Sequence, residues 1–258
     1  MSDGLSAFQP LLDTVALVPP PLWLLPVGFA AGVVNTLAGG GSFLTLSAMI
    51  WLGMPAHVAN ATNRLGVFAQ SAAAAGSFRR LGMLTTEELL PQVLVVGSGA
   101  IAGAGLSLLL DPELFDRVLG VCMVAMLGVT LARPSSWTSP RPPRPARWLA
   151  LFAAGVYGGF LQAGVGVLLL PALVLLGGMD VVRANGRKVL LTLTLTTPAL
   201  LIYAGSGLID WIAGISLALG SAAGGAVGSR ITVGSGAKVI WGTLVFVVLA
   251  TALRLWLS

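Results

Sequence analysis

The chain has 258 residues, 56% of them hydrophobic and only 9% charged, with a formal net charge of +5. Soluble domains carry about 25% charged residues, so this composition excludes a water-covered globule, and most of the exterior must face lipid. The basic balance is not a nucleic-acid signal, because most Arg and Lys flank apolar segments, as topogenic charges do.

In chain order, residues 1–21 form an N-terminal segment. Before Trp23 it holds Asp3 and Asp13 but no Lys or Arg, and it ends in Pro19, Pro20 and Pro21. A cleaved signal peptide needs a positive first region, so none is expected. Residues 22–132 read as a first transmembrane repeat, with apolar pieces at 22–38, 42–53, 60–78, 89–110 and 118–132. Next comes RPSSWTSPRPPRPAR, within an Arg/Pro-rich linker at 133–147; such a composition stays extended. Residues 148–258 form a second repeat, with pieces at 148–163, 167–178, 189–205, 211–229 and 239–257. Its long uncharged stretches, like Leu89 to Leu110 in the first repeat, can span about 30 Å of hydrocarbon. The expected fold is therefore an all-α polytopic membrane protein of two homologous halves. Each half has a Gly-broken helical hairpin followed by three spanning helices.

The likeness of the halves is visible without gaps. A shift of 125 residues lays Gly39 on Gly164, Gly41 on Gly166, Gly53–Met54 on Gly178–Met179, Ala59–Asn60 on Ala184–Asn185, and Gly99 and Gly103 on Gly224 and Gly228. Weak internal symmetry of this kind marks transporter repeats. In both halves the opening uncharged run exceeds one span, and its second piece of about 12 residues reaches only about 18 Å as a helix. That suits a helix, a Gly turn and a half-helix that returns.

Positive charge gathers on the cytoplasmic side, which places the linker and Arg79–Arg80 inside and the acidic turn at 111–117 outside. A returning hairpin keeps Arg183, Arg187 and Lys188 inside and puts Asp210 outside, whereas a single crossing would reverse them. An even number of crossings per hairpin gives an odd number per half, so the halves are inverted. Parity does not choose between a re-entrant hairpin and two full crossings. Arg64 falls outside in this scheme, against the rule.

The glycine breaks then acquire a chemical use. Inverted hairpins bring their tips together, and each half-helix starts just after its glycines, at Ser42 and at Val167. Helix N-termini offer free N–H groups and partial positive charge, so two of them facing one cavity make an anion site. Gly39, Gly40, Gly41, Gly164 and Gly166 let the backbone approach the ligand. The alternative is that these glycines only let helices pack closely; their symmetric placement favours the site. Asn35 and Thr36 precede the first break and Gln162 the second, and neutral amides and hydroxyls suit an oxyanion in lipid. Gln70 and Ser71 could likewise coordinate an oxyanion or bond between helices, whereas the threonines at 192, 194, 196 and 197 read as backbone-bonded groups.

The stretches ANATNRLG and ANGRKVLL follow the two hairpins. Asn60 and Asn185 read as caps of the next helices, and Asn63 and Arg64 as capping or anion-attracting groups. Arg187 and Lys188 could draw anions to the cavity mouth but read first as topogenic charges. His57 reads as an exposed loop residue, and GSGAIAGAG at 97–105 as small-residue helix packing. The sole cysteine, Cys122, lies in an apolar run. The sequence holds no metal-ligand cluster, phosphate loop or nucleophile–base pair, so no metal, cofactor or enzymatic activity is expected. No carboxylate lies mid-span, where proton relays usually place one.

GFAAGVVNTLAGGGSFLTLSAMIWLGMPAHVANATNRLG, followed by SFRRLGML and by the degenerate second copy GVYGGFLQAGVGVLLLPALVLLGGMDVVRANGRK, resembles the TauE/SafE family of sulfite exporters across essentially the whole chain. The first copy departs at Leu46–Ser47, where such proteins often have the proline that the second copy keeps as Pro171. The resemblance implies a bacterial inner-membrane transporter of small sulfur-containing anions such as sulfite, sulfoacetate or another organosulfonate. The expected partners are that anion and the bilayer; the oligomeric state is not specified. An importer or channel-like path for the same anions, and a non-catalytic subunit of a membrane complex, stand as alternatives.

Overall fold

The computed structural model describes residues 20–84, 87–131 and 142–257; at 20, 123, 124, 126–131 and from 235 onward only the backbone is described. Most of the N-terminal segment and of the basic linker therefore lie outside the described residues. The described chain is all helix, with no strand. The elements are α1 (Pro20–Leu37), α2 (Gly41–Trp51), α3 (Ala56–Arg80), α4 (Leu89–Leu108), α5 (Pro112–Leu131), α6 (Ala146–Phe160), α7 (Val165–Pro171, continued by a π-helical turn Ala172–Leu176), α8 (Val181–Gly205) and α9 (Trp211–Leu257).

Both glycine breaks occur where the sequence puts them, between α1 and α2 and between α6 and α7. Gly39 and Gly164 adopt φ of +87° and +72°, values that only glycine reaches without strain. Both hairpins return to the end from which they start. The end of α2 and the start of α1 share one pocket, lined by Leu24 and Met49. Leu176, ending the second hairpin, accepts a hydrogen bond from Arg144 N at 2.8 Å, just before α6 begins. With 11 residues, α2 reaches about 16 Å, so the return leg is short.

The helices pack in two matching sets. α1 lies along α9, where Gly28 and Gly32 face Leu217, Ser221 and Gly225, and Gly224 and Gly228 face Phe29 and Val33. α6 lies along α4 in the same way, with Gly99 and Gly103 against Phe152 and Val156, and Gly155 and Gly159 against Val96 and Ala100. In both pairs residue numbers rise together, so the helices run parallel. The first broken helix of each half thus packs on the fourth segment of the other half. α3 and α8, which stand at equivalent places in the two halves, pass each other antiparallel: Asn60 meets Tyr203 at one end and Phe78 meets Gly186 at the other.

A Cβ on Gly103 would overlap the Val156 carbonyl, whereas nothing lies within 4 Å of one on Gly76. Gly103→Val is therefore expected to cost about 1–3 kcal/mol through overpacking. Gly76→Ala, on an open face of α3, is expected to gain about 0.5–1 kcal/mol. Thermal unfolding in detergent checks both, and the two shifts should have opposite signs.

α4, α8 and the Trp211–Gly234 part of α9 are long and apolar enough to cross a membrane. α3 has 25 residues but buries Asn60, Thr62, Asn63, Arg64, Gln70 and Ser71. Such a helix persists in lipid only when other helices enclose it, and α1, α2, α5, α8 and α9 do so. One expectation fails: the pieces 211–229 and 239–257 are not separated, because the backbone is helical from Trp211 to Leu257. Gly234 and Gly236 weaken that helix by about 1 kcal/mol each but remove no hydrogen bond, and no proline intervenes. His57 is not in a loop either; it lies in the first turn of α3, half-buried, with Nδ1 shut away from solvent and without a partner among the described residues.

Candidate functional site

Polar chemistry concentrates where the hairpin tips meet α3 and α8. The tips touch: a Cβ on Gly39 would overlap Cα of Gly166, and one on Gly166 would come within 3.2 Å of Lys188 Cδ. No side chain caps either half-helix; Gly40 precedes α2 and Gly164 precedes α7. Val167 N is not free, since it donates to Gly164 O at 2.8 Å, and its side chain belongs to the hydrophobic core.

Three expectations about the basic and amide residues are corrected. Asn60 and Asn185 do not cap their helices. Pro55 precedes α3, and Asp180 caps α8 by accepting from Val182 N and Arg183 N at 3.1 Å. Both asparagines instead reach across to the broken helix of the opposite half: Asn60 Nδ2 donates to Phe160 O at 3.0 Å, and Asn185 Nδ2 to Thr36 O at 2.9 Å. Arg64 and Lys188 are neither cavity-mouth nor topogenic charges, being 0% and 1% exposed. Arg187 is also buried, at 2%, and donates to Gln92 Oε1 at 2.8 Å and Glu87 O at 2.9 Å. The helices start earlier than the apolar pieces suggest, at 56 and 181, which draws these residues inward.

Arg64 closes the end of α6. Its Nη1 donates to Gly158 O and Gln162 Oε1, both at 2.9 Å, and its Nη2 to Gly159 O at 2.7 Å and Phe160 O at 3.2 Å. The guanidinium lies 4.5 Å from the Tyr203 ring centroid, a favourable cation–π position. Lys188 does the equivalent for α1, donating from Nζ to Asn35 O at 3.2 Å and Thr36 O at 3.0 Å. Free carbonyls and the helix dipole make a helix C-terminus partly negative, so each half's buried cation stabilises the broken helix of the other. Among the described residues no Asp or Glu is buried with them.

Each tip is also tied to its own half. Gln70 Nε2 donates to Thr36 Oγ1 at 2.9 Å, and Gln70 Oε1 accepts from Asn35 Nδ2 at 2.9 Å. In the second half Gln162, at a left-handed φ of +60°, donates from Nε2 to Thr196 Oγ1 at 3.1 Å. The Asn35–Gln70 pair separates two small cavities. One is bounded by Gly39, Gly166 and Lys188. The other lies between α1, α2, α3 and α9 and is lined by Asn35, Ser42, Thr45, Asn63, Gln70 and Ser221. Neither has room for more than about one water, so the tips are closed around them.

Of the expected site residues, Asn35, Thr36, Gly39, Gly41, Ser42, Gly166, Asn63 and Lys188 come together here. Gly40 and Gly164 shape the turns. Gln162, Arg64 and Asn60 gather at the end of α6, and Asn185 joins Thr36, whereas Arg187 belongs to the α4–α8 contact. Thr45 and Ser221 were not singled out from sequence. Thr45 is one helical turn from Ser42, a spacing that could have flagged it, while Ser221 resembles any small packing residue of α9. Among the described residues no group of His, Cys, Asp and Glu could hold a metal ion.

The helices, their apolar faces and the enclosed polar pair α3–α8 define a multi-pass membrane protein. The chain belongs to the sulfite exporter TauE/SafE family, whose sequence model matches residues 24–255. It is similar to "Probable membrane transporter protein ORF9" of Sinorhizobium sp, 28% identical over 90% of this chain and 91% of that one. It is also similar to "Probable membrane transporter protein YfcA" of Escherichia coli K12, 27% identical over 86% of this chain and 84% of that one. A "Probable membrane transporter protein" of Haemophilus influenzae is 26% identical, covering 84% and 87%. No solved structure gives a significant match. The protein is thus a bacterial membrane transporter of the TauE/SafE family.

Proposed function

We propose that the chain carries a small sulfur-containing anion, sulfite or an organosulfonate, out of the cytoplasm across the bacterial inner membrane. The anion is held at the hairpin tips between two inverted repeats. The carrying observation is the buried charge: Arg64 and Lys188 stand within the protein, with no acid buried beside them among the described residues. Helix C-termini offset Arg64 and Lys188 only in part, and the uncapped N-termini of the half-helices add positive potential. An anion is what balances such a region. The antiparallel passage of α3 and α8 supports the inversion. Charge distribution supports the sidedness: Arg79, Arg80, Arg147 and Arg183 gather at one end, around the 2.7 Å Arg147–Glu88 ion pair, and Asp111 and Asp210 at the other. The tight Gly39–Gly166 contact favours a carrier with alternating access over an open channel.

Expelling one negative charge from a negative interior gains about 2.3 kcal/mol per 100 mV, so export needs no coupled ion. In proteoliposomes loaded with sulfite, efflux is expected to saturate and to speed up when the interior is made negative. Efflux indifferent to potential and strictly dependent on a proton gradient would refute this energetics, and no flux of any sulfur anion would remove the substrate.

A further inference from the structure

Resting on the anion-carrier reading, we infer that the anion occupies one chamber, in the first half, and that the second half has lost the equivalent site. The chamber is the cavity between α1, α2, α3 and α9 lined by Asn35, Ser42, Thr45, Asn63, Gln70 and Ser221. The 125-residue shift gives the counterparts of those six as Phe160, Val167, Leu170, Lys188, Leu195 and Val96. Five of the six are apolar, and Val96, Val167, Leu170 and Leu195 are buried members of the hydrophobic core. The fold repeats, but the chemistry does not.

Unused donors point into this one chamber. Asn63 is 1% exposed; its Oδ1 accepts from Thr45 Oγ1 at 2.6 Å, while its buried Nδ2 has no partner among the described residues. A buried amide left this way is destabilising, and a bound acceptor removes that cost. No hydrogen bond among the described residues engages the hydroxyls of Ser42 and Ser221, which line the same space. The first turn of α2, uncapped at Gly40, borders it through Gly41 and Ser42. Neutral donors with a positive helix end suit a small oxyanion. Lys188, the counterpart of Asn63, stands just outside and holds Asn35 through its carbonyl, so the second half contributes charge and support while the first supplies the contacts. The chamber as it stands holds about one water, so the oxyanion enters only when α2 moves and widens it.

The chain's single cysteine allows a direct test. In a Cys122→Ala background, Ser42→Cys, Ser221→Cys and Val167→Cys are made separately and treated, in proteoliposomes, with a sulfonate-bearing methanethiosulfonate and with its ammonium-bearing analogue. Both chamber positions are expected to react at least about tenfold faster than Val167→Cys, with the anionic reagent favoured, and sulfoacetate should slow them. Equal reaction at Ser42→Cys and Val167→Cys, or no reaction at Ser42→Cys, would overturn the single-chamber assignment. Selective, sulfoacetate-protected labelling without sulfur-anion efflux from the parent would uphold the chamber and remove the transport reading. Efflux with equal labelling would do the reverse.

Discussion

Arg64→Met is expected to prevent stable folding. The guanidinium satisfies three consecutive carbonyls, those of Gly158, Gly159 and Phe160, together with Gln162 Oε1, in a site that water does not reach. Methionine matches the volume but leaves Gly159 O and Gln162 Oε1 bare, while Phe160 O keeps Asn60 Nδ2 and Gly158 O keeps Gln162 N; each bare buried acceptor costs about 1–3 kcal/mol. Arg64 also holds the second hairpin against α3, so the loss extends to the contact between halves. The expected penalty is about 2–6 kcal/mol, that of two bare buried acceptors. Arg64→Lys should recover only part of it, since an ammonium lacks the planar fork that spans several carbonyls. Size-exclusion profile and melting temperature in detergent report this; an Arg64→Met protein as stable as the parent would show that the network is incidental.

Lys188→Met should behave oppositely, with the fold retained and transport lost. Lys188 makes two hydrogen bonds to the end of α1, one at 3.0 and one at 3.2 Å, and Asn185 already serves Thr36 O at 2.9 Å. Replacing buried ion pairs with apolar side chains of similar volume is often neutral or stabilising, and removing Lys188 leaves no buried acid unpaired among the described residues. A cation buried with no acid beside it therefore has no strong structural reason to stay, which is the argument that it serves the anion. Flux of sulfite is expected to fall at least about tenfold, a loss of 1.4 kcal/mol or more, with little change in melting temperature.

Much of this organisation was legible in the chain. The glycine breaks, the short return legs and the 125-residue symmetry follow from helix length and glycine chemistry, and the observed α2 and α7 start within two residues of Ser42 and Val167. Both hairpins return to their starting end, as a re-entrant loop and two full crossings alike would do. The helix–helix glycines at 99 and 103 pack as read. What failed was depth. Hydropathy trimmed α3 and α8 at their polar starts, so Arg64, Arg187 and Lys188 looked like boundary charges and Asn60 and Asn185 like caps. Their burial depends on contacts from the other half, over separations of 94 to 153 residues, which no local pattern encodes. The continuous α9 was missed because two apolar pieces separated by Arg230 and Lys238 look the same whether joined by a helix or a loop.

The most direct test of the central claim is sulfite efflux from proteoliposomes at a clamped inside-negative potential, with parent and Lys188→Met protein side by side and equally folded. Saturable, potential-accelerated efflux is expected in the parent and almost none in the variant. Equal efflux from both would place the anion away from the hairpin tips and contradict it.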